Sequence, residues 1–418
     1  MSFLNFIQEF RSKKGGLVML AAIIEKIGGL LLYVIVTHFI SKNELGFIVY
    51  ANTSLDFIFP FIGFGVHQGL IRYGSIAKSQ IEKNYLFQVA LKKGVKHSFY
   101  LIALVLLLAP LIAYNLKGSL FYILILSVQL LSLFVFEILR IYVRVLNLNK
   151  LYAKITIQKT ILTVLFAFVL TYKFKGVGYV LVLSLVPLLL SFFYIYKLQL
   201  LKNKVPKNLI FNLKEFVSYG LFSSFAGVLG QLLFAVDILL IANILKNETL
   251  VAHYKISTIL PFSFLFLAVS FIKTNFVKLA NKSEIDKTYI LNYYLNYLKL
   301  FALPSLLLVG VFYFLSDDIL RVFGKNYTND YHLMFIFSIG IVGGLLLRIP
   351  LGNILSAVGL PKINALTSFI TLIINVVLSY FLIHKMGIKG AAIATSSMFW
   401  FSGVLSLIAF IWYLRKTA

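Results

Sequence analysis

Long runs of apolar residues are the feature that most constrains how this chain can fold. A helix needs about 20 consecutive apolar residues to cross a bilayer, and twelve such runs follow one another along the sequence. We place them near residues 17–40, 47–66, 97–116, 120–139, 155–172, 177–196, 217–244, 252–272, 300–315, 331–355, 364–383 and 390–413. No run shows the pattern of a strand, so we predict an all-α polytopic membrane protein with twelve transmembrane helices.

The overall composition excludes most soluble functions. The 418 residues are 60% hydrophobic and 13% charged, whereas soluble domains are about 45–50% apolar and about 25% charged. The chain has no cysteine, which excludes disulfides, thiolate catalysis and cysteine metal sites. The first run is too long for a signal peptide and lacks a cleavage site of small residues, so we interpret it as a retained helix. The short connectors leave no room for a soluble catalytic domain.

The net charge of +25 is explained by topology. If the N-terminus is cytoplasmic, the segments on its side of the membrane carry 27 of the 39 lysines and arginines. Cytoplasmic connectors retain positive charge during insertion, so we expect both termini to be cytoplasmic. The basic residues then contact anionic lipid headgroups, and no nucleic-acid partner is indicated.

An internal repeat divides the sequence into two similar halves. Residues 40–44 with Tyr50 recur as residues 244–248 with Tyr254, an offset of 204. A second set recurs at an offset of 212, in which Leu148, Lys150, Ala153, Lys173 and Gly178 match Leu360, Lys362, Ala365, Lys385 and Gly390. Each match joins loops six helices apart, and an even number of crossings gives both halves the same orientation. We therefore predict two six-helix bundles related by a pseudo-two-fold axis along the membrane normal.

The repeat also predicts domain boundaries and two helix breaks. We expect an N-terminal lobe at 1–198, a cytoplasmic linker at 199–216 and a C-terminal lobe at 217–418. Pro60 and Pro261 interrupt equivalent spans, the second and the eighth. Paired breaks of this kind indicate moving helices that line a cavity, although an inert kink is the commoner explanation.

Four short motifs resemble those of a known family. They are Asn43-Glu44-Leu45-Gly46, Phe323-Gly324-x-x-Tyr327, Ala357-x-Gly359-x-Pro361-Lys362 and Gly387-x-x-Gly390-Ala391-Ala392-x-Ala394-Thr395. Their order along twelve helices is similar to that in polysaccharide repeat-unit flippases of the multidrug/oligosaccharidyl-lipid/polysaccharide exporter superfamily. That superfamily also holds the multidrug and toxic-compound (MATE) exporters and the peptidoglycan-precursor flippase.

The resemblance implies a transporter of the bacterial inner membrane. Its expected substrate is an oligosaccharide, such as an O-antigen or capsule unit, carried on undecaprenyl diphosphate and moved from the cytoplasmic to the outer leaflet. The resemblance further implies alternating access and coupling to an ion gradient, with no bound cofactor. A polysaccharide polymerase and a chain-length regulator are the protein partners it suggests.

Such a substrate needs a cation for its diphosphate, and basic residues within the spans are the natural candidates. Lys26 lies about nine residues into the first helix, or roughly 13 Å at 1.5 Å per residue. Arg348 follows Gly340 and Gly344 at every fourth residue of the tenth helix. The alternatives are an ion pair for Lys26 and snorkelling toward the cytoplasmic face for Arg348. We also expect Arg72, Arg140 and Arg144 at the cytoplasmic mouth to contact the diphosphate.

Buried acids are the candidates for ion coupling. A carboxylate in a low-dielectric site can carry a proton or bind sodium once its surroundings change. We predict this role for Asp56 and Glu25, because of their depth, and then for Asp237. Any of them could instead neutralise a buried base, and Glu137 is spaced to pair with Arg140.

Two other functions remain open from the sequence. A cation-coupled multidrug exporter of the same fold would share the motifs. A membrane polysaccharide polymerase is the enzymatic alternative, but the longest outer connector, 316–330, is short for a catalytic loop. The sugar composition, the coupling ion and the oligomeric state are not readable from the residues.

Overall fold

The computed structural model describes residues 16–77, 79–201, 213–282 and 286–415. These residues form helices and short connections, and the described part of the chain contains no β-strand. The predicted all-α membrane fold is confirmed.

Fourteen α-helices account for most of the described residues. In the first half they are α1 (Gly16–Phe39), α2 (Lys42–Ile58), α3 (Val66–Ile76), α4 (Gln80–Ile112), α5 (Ser119–Val145) and α6 (Asn149–Lys197). In the second half they are α7 (Leu213–Leu245), α8 (Glu248–Ser263), α9 (Leu265–Lys282), α10 (Lys287–Val322), α11 (Tyr331–Gly343), α12 (Ile349–Ala357), α13 (Pro361–Met386) and α14 (Ile388–Arg415). A π-helical turn, Gly344–Arg348, joins α11 to α12.

Local sequence signals set several of these boundaries. The hydroxyl of Ser41 caps α2 by accepting a hydrogen bond from the backbone N–H of Glu44 at 3.3 Å. Ser79 and Glu82 form a reciprocal capping box at the start of α4. Both arrangements satisfy backbone donors that have no partner within the helix.

Ten candidate spans are long and apolar enough to cross a membrane, counted over the described residues. One of them is the 49-residue α6, which covers the two predicted spans at 155–172 and 177–196. The predicted span at 217–244 falls on α7, which is outside that count of ten. The ten candidates do not by themselves confirm twelve transmembrane helices, although they are compatible with that number.

Two breaks in equivalent helices share an unusual backbone conformation. Within α6, Lys175 has φ 51° and ψ −133°. Between α13 and α14, Gly387 has φ 60° and ψ −139°, and its position is 212 residues after Lys175. The carboxylate of Glu44 supports the first break, because it accepts hydrogen bonds from Gly176 N at 3.0 Å and from the Tyr122 hydroxyl at 2.6 Å. The matching geometry supports the internal repeat.

The second and eighth predicted spans are both interrupted. The second divides at a 3₁₀ segment, Phe59–Gly65, in which three successive residues from Gly63 to Gly65 have positive φ. The eighth divides between Ser263 and Leu265. These breaks lie at the positions where Pro60 and Pro261 predicted them.

The described residues group into two compact units. One consists of Leu20–Ala235 with Lys246–Val251. The other consists of Val236–Leu245 and Ala252–Ala418, with the described residues before Leu20. The predicted lobe boundaries stay predictions.

Candidate functional site

Asp237 on α7 lies at the centre of a buried polar cluster. Asp237 is only 2% exposed. One carboxylate oxygen accepts hydrogen bonds from Asn375 Nδ2 at 3.3 Å and from the Ser379 hydroxyl at 3.1 Å. The other accepts from the Tyr254 hydroxyl at 3.0 Å and from the Thr395 hydroxyl. Four helices, α7, α8, α13 and α14, therefore meet at one carboxylate.

All four partners of Asp237 are neutral. No lysine or arginine pairs with this carboxylate among the residues that the structure describes. Burying an unpaired charge in an apolar interior is costly, and such a group takes up a proton or a cation instead. The hydroxyl oxygens of Ser379 and Thr395, which lie beside the carboxylate, are hard ligands suited to a small cation. The cluster is therefore chemically able to hold and release one positive charge.

Arg348 forms a second polar cluster in the same unit. Its guanidinium donates to Asn364 Oδ1 at 2.7 Å and to the Ser368 hydroxyl at 2.6 Å. No carboxylate contacts it within the described ranges. Arg348 is the last residue of the π-helical turn. Gly352 leaves room for its guanidinium, because a Cβ at that position would lie 2.6 Å from Arg348 Nη1. The guanidinium keeps its positive charge and has donors left for an anion.

The two clusters share one face of α13. Asn364 and Ser368 contact Arg348, while Asn375 and Ser379 contact Asp237. Buried Thr371 lies between the two pairs, and the spacings of four, three, four and four residues keep all five on one helical face. At 1.5 Å per residue the two pairs are roughly 16 Å apart along the helix.

Glu25 and Arg140, predicted for different roles, contact each other. The guanidinium of Arg140 lies 3.5 Å from Glu25 and 3.6 Å from Glu137, and it donates to the Tyr152 hydroxyl at 2.6 Å. Lys159 lies 3.6 Å from the same Glu25 oxygen. These contacts favour the ion-pair interpretation of both residues that the sequence left open.

The other predicted residues make no contact with Asp237 or Arg348 in the described part of the chain. Lys26, Arg72 and Arg144 are exposed, and Arg144 lies over the Tyr152 ring at 5.4 Å. Asp56 is exposed in the last turn of α2 and accepts a hydrogen bond from Asn52 Nδ2 at 3.0 Å. Asp237, in contrast, is enclosed by its partners.

Sequence reasoning found the charged residues but missed their neutral partners. The members of the polar face of α13 are Asn364, Ser368, Thr371, Asn375 and Ser379. Their helical spacing inside an otherwise apolar span is the signal that could have located both clusters. In the sequence, Tyr254 is recognisable only as part of the repeat, and Thr395 only as part of the motif that begins at Gly387.

The described residues form a helical membrane fold with buried charged clusters. A multidrug resistance transporter of the MATE family, solved in an inward-facing conformation, superposes with a TM-score of 0.76 at 13% identity, covering 94% of this chain and 96% of that one. The lipid II flippase MurJ, in an inward closed conformation, superposes with a TM-score of 0.75 at 17% identity, covering 94% and 86%. These likenesses show a MATE-like fold.

The sequence comparisons give the family. A family model described as "Polysaccharide biosynthesis protein" matches residues 35–331, more than half of the chain. A Shigella flexneri protein named as a candidate O-antigen transporter is 32% identical over 117 residues. That match spans 28% of this chain and 26% of the relative. The chain belongs to the polysaccharide biosynthesis protein family.

Proposed function

We propose that this protein moves undecaprenyl-diphosphate-linked oligosaccharide repeat units, of O-antigen or capsule type, from the cytoplasmic to the outer leaflet of the bacterial inner membrane. Family membership supports a role in polysaccharide biosynthesis. The O-antigen transporter relative and the lipid II flippase fold support a lipid-linked sugar as the cargo. The sugar head and the diphosphate cannot enter hydrocarbon, so both need polar protein groups, while the polyprenyl tail can stay in lipid.

The observation that carries an ion-driven mechanism is the neutral environment of Asp237. A fixed carboxylate with four neutral partners alternates between a form that holds a proton or sodium ion and a form that has released it. Release leaves a buried charge that the protein must solvate by moving its helices. Downhill movement of the ion can thus supply the free energy for changing conformation.

We propose that Arg348 is the main residue that binds the diphosphate. This guanidinium has no acidic partner in the described part of the chain, and beyond its bonds to an amide and a hydroxyl it can present its remaining donors to phosphate oxygens. Exposed Lys26, Arg72 and Arg144 are further cations that the diphosphate can meet, and their roles stay predictions. Arg140 is engaged by two carboxylates, so we propose that it holds α1, α5 and α6 together instead.

The polar face of α13 offers a route for coupling the two clusters. One rigid helix contributes two ligands to Asp237 and two to Arg348. A shift or rotation of α13 that follows ion binding therefore changes the surroundings of the arginine as well. Alternating access driven by an ion is the mechanism that this arrangement supports.

Multidrug export is the second candidate function. The likeness to a MATE transporter supports multidrug export only at the level of the fold, because the same fold serves both kinds of cargo. The family model favours the polysaccharide cargo.

Deleting the gene in its native host and locating lipid-linked repeat units by leaflet tests the proposal. Accumulation of single repeat units on the cytoplasmic side is the expected result. Accumulation on the outer side would indicate a defect in polymerisation or ligation. Intact surface glycan with no accumulation would favour the multidrug exporter.

A further inference from the structure

A cavity of about 150 Å³ lies among α1, α2, α5 and α6. Its polar lining consists of Tyr33, Asn52, Gln129 and Tyr179, and aliphatic side chains such as Leu45 and Leu183 cover the rest. All of these residues belong to the unit that contains Leu20–Ala235. Neither Asp237 nor Arg348 takes part in it.

All four polar groups of the lining have unused hydrogen-bonding capacity. The hydroxyls of Tyr33 and Tyr179 and the amide of Gln129 make no hydrogen bond to another group in the described part of the chain. The fourth group, Asn52, donates through Nδ2 to Asp56 at 3.0 Å, which fixes the amide and leaves its oxygen as an acceptor. Tyr179 is buried and Tyr33, Asn52 and Gln129 are half-buried, so their polar groups can bind a ligand or water in the cavity.

The volume suits a ligand larger than a few waters. One water needs roughly 10–15 Å³ of such space, so the cavity has room for on the order of ten waters, or one pyranose ring with its hydroxyls. Amides and phenolic hydroxyls both donate and accept, as vicinal sugar hydroxyls do. The aromatic and aliphatic surface matches the C–H faces of the same ring.

The charge of the lining disfavours the diphosphate of the substrate. Among the described residues that line the cavity there is no lysine or arginine, so they offer no cation to a diphosphate. Asp56 is the charged group at its margin. That carboxylate accepts a hydrogen bond from Asn52 at 3.0 Å, and its negative charge suits a neutral ligand rich in hydroxyl donors and disfavours an anion.

The internal repeat gives an independent comparison. At the offset of 204, Tyr33 occupies the position of Asp237, and at the offset of 212, Leu183 occupies the position of Thr395. The second half therefore has an enclosed carboxylate, Asp237, at the position where the first half has Tyr33 in the lining of a neutral cavity. The two halves have diverged into sites of different chemistry.

We propose that this cavity binds one sugar ring of the transported oligosaccharide, with hydrogen bonds from Tyr33, Asn52, Gln129 and Tyr179. Asp56 is a positioning residue that orients Asn52. This assignment rests on the proposed function, because it names the binding site for the sugar portion of that cargo.

Binding to the purified full-length protein tests the assignment, measured by native mass spectrometry in detergent. The two probes are lipid-linked oligosaccharide extracted from the native host and sugar-free undecaprenyl diphosphate. The variants are Tyr33→Phe, Gln129→Leu and Tyr179→Phe. Tyr172→Phe is the matched control, since it removes a hydroxyl from a tyrosine that is 64% exposed and outside the cavity.

We expect the wild type to prefer the sugar-bearing lipid and each cavity variant to lower that preference roughly threefold to tenfold, about one hydrogen bond's worth. Affinity for the sugar-free lipid should not change, and the control should behave as wild type. Equal wild-type affinity for both lipids, unchanged variants, or equal losses for both lipids would overturn the sugar assignment. A wild type that binds neither lipid would overturn the proposed function, and the sugar site with it.

Discussion

Asp237 is the residue on which the ion-coupled mechanism depends most. Its four hydrogen-bond donors come from side chains that remain neutral at every physiological pH, so they stabilise the carboxylate without supplying an opposite charge. Asparagine has nearly the same shape but cannot exchange a proton or a cation. The substitution therefore separates the role of the charge from the role of the packing.

We predict that Asp237→Asn abolishes the response of transport to an ion gradient. In proteoliposomes, the wild-type rate should rise about tenfold or more under a favourable sodium or proton gradient, equivalent to about 1.4 kcal/mol or more of barrier. The variant should show one rate with and without the gradient. Asp317→Asn is the control, because Asp317 is partly exposed and pairs with Arg321 at 2.7 Å. A variant that still responds to the gradient would contradict the role of Asp237.

Arg348 tests the recognition of the anion. We predict that Arg348→Ala and Lys26→Ala lower surface polysaccharide at unchanged protein level, because each removes a cation available to the diphosphate. Lys26→Arg should be milder, since the charge stays. Arg321→Ala, which changes an exposed arginine paired with Asp317 and Asp318, should leave surface polysaccharide normal. Normal polymer in both alanine variants would remove these residues from the substrate site.

Glu25 and Arg140 test the structural role that their contacts support. Their side chains are 32% and 17% exposed, so the pair is partly shielded from water. We predict that Glu25→Gln and Arg140→Gln each lower the free energy of unfolding by about 1–2 kcal/mol, and that the double variant loses clearly less than the sum. Thermal or chemical unfolding of the purified protein measures this coupling. Strict additivity would mean that the two residues do not interact.

At the scale of the helices, the breaks at Lys175 and Gly387 carry the strongest backbone signal. Both residues have a positive φ combined with a strongly negative ψ, a region that glycine enters without steric cost and lysine does not. Of these two equivalent positions, only Gly387 in the second half carries the glycine that the conformation favours.

This asymmetry gives a stability prediction. Lys175→Gly should raise the free energy of unfolding by about 1 kcal/mol, and Gly387→Ala should lower it by about 1–2 kcal/mol. Gly310→Ala is the control, since a Cβ there meets nothing within 4 Å and the position is helical, so its effect should be neutral or favourable. The midpoint of thermal unfolding in detergent reads out all three. Destabilisation by Lys175→Gly would contradict the strained conformation.

The helices were more predictable from the sequence than the clusters between them. The positions of the spans follow from apolar runs that are long enough to cross a bilayer. The two prolines, Pro60 and Pro261, predict where two of these spans are interrupted. The partners of Asp237 were not predictable, because Asn375, Ser379 and Thr395 lie more than 130 residues away and are neutral side chains of ordinary kinds. The contact between Glu25 and Arg140 likewise depends on how α1 packs against α5, which no local pattern specifies.

For the whole molecule, two compact units of similar sequence hold different chemistry. One contains the Asp237 and Arg348 clusters joined by the polar face of α13. The other contains the cavity of Tyr33, Asn52, Gln129 and Tyr179 and the ion pairs around Arg140. A lipid-linked oligosaccharide carries a sugar and a diphosphate as separate polar parts, and we propose that the cavity binds the sugar, Arg348 the diphosphate and Asp237 the driving ion.

Transport by the purified protein in proteoliposomes tests the central claim most directly. The vesicles contain lipid-linked oligosaccharide from the native host, and a membrane-impermeant glycosidase reports the fraction exposed on the outside. We predict that wild-type protein exposes the lipid faster than protein-free vesicles do, and that an ion gradient accelerates this exposure. Exposure no faster than in protein-free vesicles, with or without a gradient, would contradict the assignment of this protein as an ion-driven flippase of lipid-linked oligosaccharides.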